Sequence, residues 1–347
     1  MGKKISILSL DGGGIRGIIP GVILTYIEKQ LQSLDNSHLN IGDYFDFVAG
    51  TSTGGILACA YLMPDEENQT AKYSAEDAVK LYTNEGGNIF KENLLDKLLN
   101  PWNLVTKKYQ VDALEENFKK LFAKALLSDF IKPCLITSYN ITSRCAHLFT
   151  SVDARKNPVE NFKVIDVARS TSAAPTYFEP ARIQSESGQT LNLIDGGVYA
   201  NNPALCAYAE ARKTNFSTVL KNADKQDLPG AKDMLLISIG TGTVKKPYHF
   251  EDLKNAGEIK WIEPIIDILM SANSETVDYQ LRQIYGTLSA EDKQDYYRLE
   301  PSLYEALPDM DNASEVNIEN LRQAGLLFIE KNQNTLDEIV QKILANK

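Results

Sequence analysis

The sequence has little cysteine and no long apolar run. Its four cysteines are scattered over 347 residues, and none stands in a C-x-x-C pair. A disulfide framework is not expected in a chain of this size, so the pattern favours a reducing, cytoplasmic compartment. No run approaches the roughly 18 apolar residues that a membrane-spanning helix needs. Residues 1–5 lead straight into a predicted strand, without the apolar core or cleavage site of a signal peptide.

Basic clusters and metal-ligand spacings are absent as well. The formal net charge is −10, which argues against a nucleic acid polymer as the principal partner. Attraction to an anionic membrane would therefore have to be local. Because no metal-ligand spacing occurs, we expect no metal and no other cofactor. No internal repeat or Pro/Gly/Ser-rich linker divides the chain, which predicts one domain over residues 1–347.

Short apolar runs alternate with helical patterns along most of the chain. This alternation predicts an α/β fold with a mostly parallel central sheet covered by helices on both faces. The predicted strands are residues 5–10, 45–49, 134–139, 146–150, 191–194 and 234–239. The predicted helices include residues 18–34, 164–174, 204–213, 258–288 and two within 316–344.

The pentapeptide Gly50-Thr51-Ser52-Thr53-Gly54 stands between a predicted strand and a predicted helix. This is the Gly-x-Ser-x-Gly pattern of a nucleophile elbow, in which a sharp turn presents the serine at a helix N-terminus. A Cβ at Gly50 or Gly54 should clash, because neighbouring elements approach closely there. Taken alone, the pentapeptide is equally compatible with a Gly/Ser-rich turn that binds nothing.

A glycine loop follows the first predicted strand. Gly12, Gly14 and Gly17 match Gly-x-Gly-x-x-Gly, but a dinucleotide site needs an acidic residue at the end of the second strand, and that strand ends in the elbow. Consecutive glycines can instead present backbone N–H groups to a developing oxyanion. Arg16 would reinforce this loop or hold it closed.

Asp195-Gly196-Gly197 marks the end of another predicted strand. Since ligands bind at the carboxyl ends of strands in open α/β sheets, the three glycine-marked loops should converge. Asp195 then becomes the candidate base for Ser52. A rival reading is a Ser-Asp-His triad, and in that order only His249 follows Asp195.

Three further segments are assigned by position and composition. Residues 240–243 lack the Gly-Lys-Ser/Thr ending of a phosphate loop and are predicted to be a structural turn lining the site. Residues 84–108 lack a clean helical period, and we expect them to form a lid. The apolar strip 259–285 has the spacing of a core-facing helix, although Trp261 within it could instead meet lipid.

The three loops, DGGGIRG at 11–17, GTSTGG at 50–55 and DGG at 195–197, together resemble the patatin-like phospholipase family of the bacterial type. The similarity extends to ARSTSAAPTYF at 168–178, NNP at 201–203 and SIGTG at 238–242. It covers about residues 5–245. Residues 246–347 would then be a mainly helical C-terminal part of the same domain.

The resemblance implies a patatin-like fold and a serine–aspartate dyad that cleaves acyl esters of phospholipids and galactolipids without a catalytic metal. Ser52 maps to the nucleophile and Asp195 to its base. The oxyanion loop maps to Gly12, Gly13, Gly14 and Arg16. The remaining motif glycines are Gly17, Gly50, Gly54, Gly196 and Gly197.

The same resemblance sets expectations about partners. The substrate would be a phospholipid or another acyl-ester lipid, reached by transient contact with a membrane surface from the cytoplasm. Some bacterial members are defence effectors switched on by a cyclic nucleotide, so a nucleotide activator and an oligomer are expected as options. Two alternatives stay open at this point, a triad esterase that uses His249 and a non-enzymatic nucleotide-binding module.

Overall fold

A computed structural model describes residues 2–65, 67, 69–89, 112–243, 247–254 and 257–347. The predicted lid at 84–108 therefore lies, over residues 90–108, outside the described residues. The assignment of residues 1–347 to one domain stays a prediction.

Each strand and helix predicted above has a counterpart in the structure, which adds two strands and several short helices. The strands are β1 (Ile5–Leu10), β2 (Phe47–Gly50), β3 (Cys134–Asn140), β4 (Cys145–Thr150), β5 (Ala181–Gln184), β6 (Thr190–Asp195), β7 (Met234–Ile239) and β8 (Tyr296–Leu299). The helices are α1 (Ile18–Asp35), α2 (Ile41–Tyr44), α3 (Thr53–Leu62), α4 (Ala75–Ile89), α5 (Asp112–Phe122), α6 (Ser151–Ala154), α7 (Val164–Thr171), α8 (Gly197–Ala200), α9 (Ala204–Arg212), α10 (Phe216–Val219), α11 (Phe250–Leu253), α12 (Glu258–Gly286), α13 (Glu315–Lys331) and α14 (Gln333–Asn346). Short 3₁₀ turns occupy Gly14–Gly17, Leu127–Asp129, Ala231–Asp233 and Asp292–Asp295.

The strands form one sheet in the order β5-β6-β3-β2-β1-β7-β8, with β4 paired to β3. The five strands from β3 through β8 in this order are parallel. Side chains alternate between two cores along β1: Leu8 and Leu10 face the core that contains α1 and α3, and Ile5 and Ile7 face the core that contains α9 and α12. Helices therefore cover both faces, and the predicted α/β class is confirmed.

The directions of some strands differ from the parallel pattern that the sequence predicts. β6 runs antiparallel to β3, and the short strands β5 and β8, at opposite ends of the sheet order, had no clear apolar run to predict them. Periodicity reports which residues are buried, but it carries no information about strand direction.

The antiparallel course of β6 brings two strand ends together. β4 pairs with β3 from Leu135 to Asn140, so β2 and β6 must share the other edge of β3. The last residue of β2 lies opposite Ile136, and Asp195, the last residue of β6, lies opposite Ser138. The two strands thus point at each other, and only Thr137 separates their ends along β3.

The turn after β2 has the strained geometry expected of an elbow. Ser52 has a φ of 53° and a ψ of −123°, a region that non-glycine residues rarely occupy. The helix that follows is buried along its whole length. A Cβ on Gly54 would lie 2.2 Å from the carbonyl oxygen of Leu10, so only glycine lets α3 approach the end of β1 this closely.

The close approach at Gly54 gives a stability prediction. Gly54→Ala should lower the free energy of unfolding by about 1–3 kcal/mol, because the new methyl group forces backbone apart. Gly286→Ala is the matched control, since a Cβ there meets nothing within 4 Å in the exposed last turn of α12. Urea unfolding of both variants checks this, and equal stabilities would contradict the account.

Candidate active site

Ser52 lies at the start of α3, and its position is held from two sides. Its backbone N–H donates to Oγ1 of Thr171 at 2.8 Å, which ties the elbow to the end of α7. Its side chain lies beside the carboxylate of Asp195 and lowers the pKa of that carboxyl. The structure therefore joins the two residues that the sequence marks as nucleophile and base, although 143 positions separate them.

Asp195 is buried, and the surrounding contacts keep it in place. Its backbone N–H donates to the carbonyl oxygen of Ala173 at 3.0 Å, and its Oδ1 accepts from the N–H of Gly197 at 2.7 Å. Burial raises the pKa of its carboxyl to about 7, while the Ser52 hydroxyl and the N–H of Gly197 oppose the rise. A carboxylate with a pKa near neutrality is a far better proton acceptor than an ordinary aspartate.

The glycine loop presents two N–H groups that have no acceptor in the described part of the chain. The N–H of Gly12 donates to the carbonyl oxygen of Asn201 at 3.1 Å, and that of Ile15 to the carbonyl oxygen of Met310 at 2.8 Å. Gly13 and Gly14 lie between these anchored positions. The N–H of Gly12 is therefore already used, and of the three expected oxyanion donors only the N–H groups of Gly13 and Gly14 remain free among the described residues.

Two side chains fix the direction of these N–H groups. Thr241 Oγ1 donates to the carbonyl oxygen of Gly12 at 2.8 Å, and the Arg16 guanidinium donates to those of Gly13 at 3.3 Å and Gly242 at 3.2 Å. In a planar trans peptide the N–H points opposite to the C=O. Holding the carbonyls of Gly12 and Gly13 on one side therefore directs the N–H groups of Gly13 and Gly14 to the other.

Thr241 links the predicted turn at residues 240–243 to the glycine loop. A Cβ on Gly13 would lie 2.2 Å from Thr241 Oγ1, so the loop and the turn are packed against each other. The φ of Gly14 is +59°, and a Cβ there would lie 2.1 Å from the carbonyl oxygen of Met310. Both positions require glycine for these reasons.

A buried cluster of charged side chains is attached to the glycine loop at Asp11. The guanidinium of Arg298, on β8, donates to both carboxylate oxygens of Asp11 at 2.9 and 2.7 Å, to Ser238 Oγ at 2.8 Å and to Glu300. The two carboxylates raise the pKa of Arg298 above its usual value, so it stays charged. A buried acid beside the glycine loop signals that a cation is needed, but the sequence does not say which arginine supplies it.

An apolar pocket of about 110 Å³ opens beside Ser52 and Asp195. Gly14 and Gly197 lie in its wall next to the two catalytic candidates. Most of the remaining wall is apolar and comes from α3, α5, α8, α12, the segment after α7 and the segment before α13: Ile56, Leu114, Phe118, Pro175, Tyr177, Phe178, Val198, Ile266, Leu269, Met270 and Met310. Such a wall suits a hydrocarbon chain.

The histidines stand apart from this pocket. His249 is exposed at the start of α11, and the ring of His147 packs on that of Phe149 at 4.4 Å between centroids. His38 is exposed after α1. None of the three lines the pocket. Among the described residues, no group of three or more His, Cys, Asp or Glu side chains is arranged to hold a metal ion.

Comparison with known proteins agrees with the motifs. A family model described as patatin-like phospholipase matches residues 8–208. "Patatin-like protein 1" of Arabidopsis thaliana is 36% identical over 343 residues, covering 93% of this chain and 81% of that protein. "Patatin-like protein 2" of Oryza sativa subsp. indica is 33% identical, with coverages of 96% and 86%.

A potato relative and one solved structure extend the comparison. "Patatin-2-Kuras 3" of Solanum tuberosum is 34% identical, covering 95% of this chain and 85% of that protein. The crystal structure of VipD from Legionella pneumophila is a distant likeness, with a TM-score of 0.37 and 12% identity, covering 95% of this chain and 67% of that chain. On the family model and the close relatives, the chain belongs to the patatin-like phospholipase family.

Proposed function

We propose that this protein is a lipid acyl hydrolase that cleaves fatty-acyl esters of membrane phospholipids through a Ser52–Asp195 dyad. The observation that carries the proposal is that Ser52, at the elbow, lies beside the buried carboxylate of Asp195, whose pKa is about 7. The pair stands in the wall of an apolar pocket. Membership of the patatin-like phospholipase family supports the choice of substrate class.

The reaction begins when the Ser52 hydroxyl oxygen attacks the ester carbonyl carbon and Asp195 accepts its proton. The N–H groups of Gly13 and Gly14 stabilise the negative charge that develops on the carbonyl oxygen, each worth about 10²–10³ in rate. The bond to the leaving alcohol then breaks, and the Asp195 proton passes to that alcohol. An acyl group remains on Ser52, with its hydrocarbon chain in the pocket.

Substitution of the dyad gives the first functional prediction. Ser52→Ala and Asp195→Asn should each lower turnover of a soluble acyl ester by at least about 10²-fold, because they remove the nucleophile and the proton acceptor. Labelling of Ser52 by a fluorophosphonate should be lost in the first variant and strongly slowed in the second. Retained turnover in Asp195→Asn would overturn the dyad.

His249→Ala is the matched control, and it separates the dyad from the triad alternative. Its turnover and labelling should equal those of the wild type, since the exposed His249 does not line the pocket. Loss of activity in this variant would restore the triad.

Nucleotide binding by a protein that neither labels nor turns over ester would favour the binding-module alternative.

The raised pKa of Asp195 gives a pH prediction. Asp195 acts as a base only when it is ionised, and its pKa is about 7 instead of the usual value near 4. The ratio kcat/KM should therefore fall about tenfold per pH unit below pH 7 and level off above it. A pH profile on a soluble ester checks this, and a flat profile between pH 5 and 9 would contradict it.

Membrane contact is assigned to the N-terminal half of α12. Ile265 and Leu269 are 49% and 50% exposed there, and Trp261 and Ile268 share the same helix face. Phe250 of α11, 76% exposed, stands nearby in the chain. Leu269 also lines the pocket, so the exposed apolar face leads directly to the site. In the described part of the chain, no helix is long and apolar enough to cross a membrane.

Charged substitutions on this face test the assignment. Ile265→Asp and Ile268→Asp should each weaken binding to phosphatidylcholine vesicles about tenfold, because an exposed isoleucine contributes its transfer free energy only on insertion. Turnover of a soluble ester should not change. Val316→Asp is the matched control, since Val316 is 73% exposed on α13 and does not line the pocket. Equal vesicle binding by all variants would remove the assignment.

The cytoplasmic location, the cyclic-nucleotide activator, the oligomer and the role as a defence effector stay predictions. Turnover measured with and without added nucleotides, and the size of the protein in solution, test the second and third.

A further inference from the structure

Asn201, in the NNP segment after α8, carries a buried acceptor that the chemistry above does not use. Its side chain is 7% exposed, and its Oδ1 has no hydrogen-bond partner among the described residues. Its Nδ2 donates to Ser274 Oγ at 3.2 Å. An unpartnered carbonyl oxygen in such a place costs free energy, so its presence beside a reactive centre calls for a reason.

The orientation of this amide follows from the charges behind it. Arg298 donates to Asp11, whose carboxylate therefore acts as an acceptor. Ser274 Oγ uses its single proton toward Asp11 Oδ2, at 3.4 Å. The hydroxyl oxygen must then accept from Asn201, which requires the NH₂ group on that side. The oxygen Oδ1 is consequently directed the other way.

That other side holds the catalytic pair. A Cβ placed on Gly12 would lie 2.4 Å from Asn201 Oδ1 and 3.2 Å from Ser52 Cβ. A Cβ placed on Gly197 would lie 3.4 Å from Asn201 Oδ1 and 3.1 Å from Asp195 Oδ1. Asn201 Oδ1 is therefore a near neighbour of both the nucleophile and the base.

We propose that Asn201 Oδ1 is the second acceptor for the water that hydrolyses the acyl–Ser52 intermediate. This inference rests on the proposed function. An attacking water has two protons, and Asp195 accepts one of them as the water oxygen bonds to the acyl carbon. The other proton stays on that oxygen and donates to Asn201 Oδ1, which turns a lone pair of the water toward the acyl carbon.

The step balances without any further reactant. The tetrahedral intermediate collapses by breaking the bond between the acyl carbon and Ser52 Oγ. Asp195 returns its proton to Ser52 Oγ, and the fatty acid leaves with the second water proton on its carboxyl group. The enzyme is then in its starting state.

An alcohol discriminates this role from a structural one. Methanol has one O–H proton, which goes to Asp195, so it needs no second acceptor. With a p-nitrophenyl acyl ester in buffer containing methanol, Asn201→Ala should lower the ratio of fatty acid to methyl ester about tenfold, the effect of one lost hydrogen bond. The rate of fluorophosphonate labelling at Ser52 should not change, since the backbone contact between Asn201 and Gly12 remains.

Two further variants keep the test decisive. Asn201→Leu preserves the volume of the side chain and should shift the product ratio in the same direction, including when the alanine variant folds poorly. Asn192→Ala is the matched control and should leave the ratio unchanged. Asn192 lies on the same strand as Asp195, and the substitution removes its side-chain hydrogen bond to Thr142.

An unchanged ratio in both Asn201 variants, with labelling intact, would overturn the proposal. So would an equal fall of both products, which would mean that Asn201 only maintains the structure. A wild-type protein that forms neither product overturns the hydrolase assignment itself, and that result is distinct from either.

Discussion

The opposed ends of β2 and β6 along one edge of β3 are the constraint on which the rest of the site depends. Because β4 occupies the other edge, these two strands can only meet end to end, and the residues that follow them face each other. Thr51 Oγ1 contacts Thr137 Oγ1 at 2.7 Å across the junction. The pairing of the strands alone thus places Ser52 close to Asp195.

Backbone groups around this junction are oriented by side chains from other elements. Thr171 accepts the Ser52 N–H, while Thr241 and Arg16 hold the carbonyls of the glycine loop. This explains why motif glycines pack against small hydroxyl side chains, as Gly13 does on Thr241 and Gly55 on Thr171. The glycines let backbones approach, and the hydroxyls set which way each peptide faces.

The sequence predicted the layers, the elbow and the pairing of Ser52 with Asp195, since these depend on local periodicity and on glycine-marked turns. It did not predict the direction of β6 or the short strand β8, because neither leaves a local signal. Arg298 was missed for the same reason, as its partner Asp11 is 287 residues away. Residues 168–178 were recognised as part of the resemblance, but the hydrogen bonds that Thr171 and Ala173 accept from Ser52 and Asp195 depend on tertiary packing.

Part of the pocket wall lies outside the region that matches the family model, and this affects how the pocket can change. Ser52, Asp195 and the glycine loop lie before residue 208, within the region of the family match. Ile266, Leu269, Met270 and Met310 supply wall positions beyond it. Substitutions there can reshape the pocket without touching the reacting groups. Under the proposed function, single substitutions at these positions would change which acyl chain fits while Ser52, Asp195 and the glycine loop stay the same.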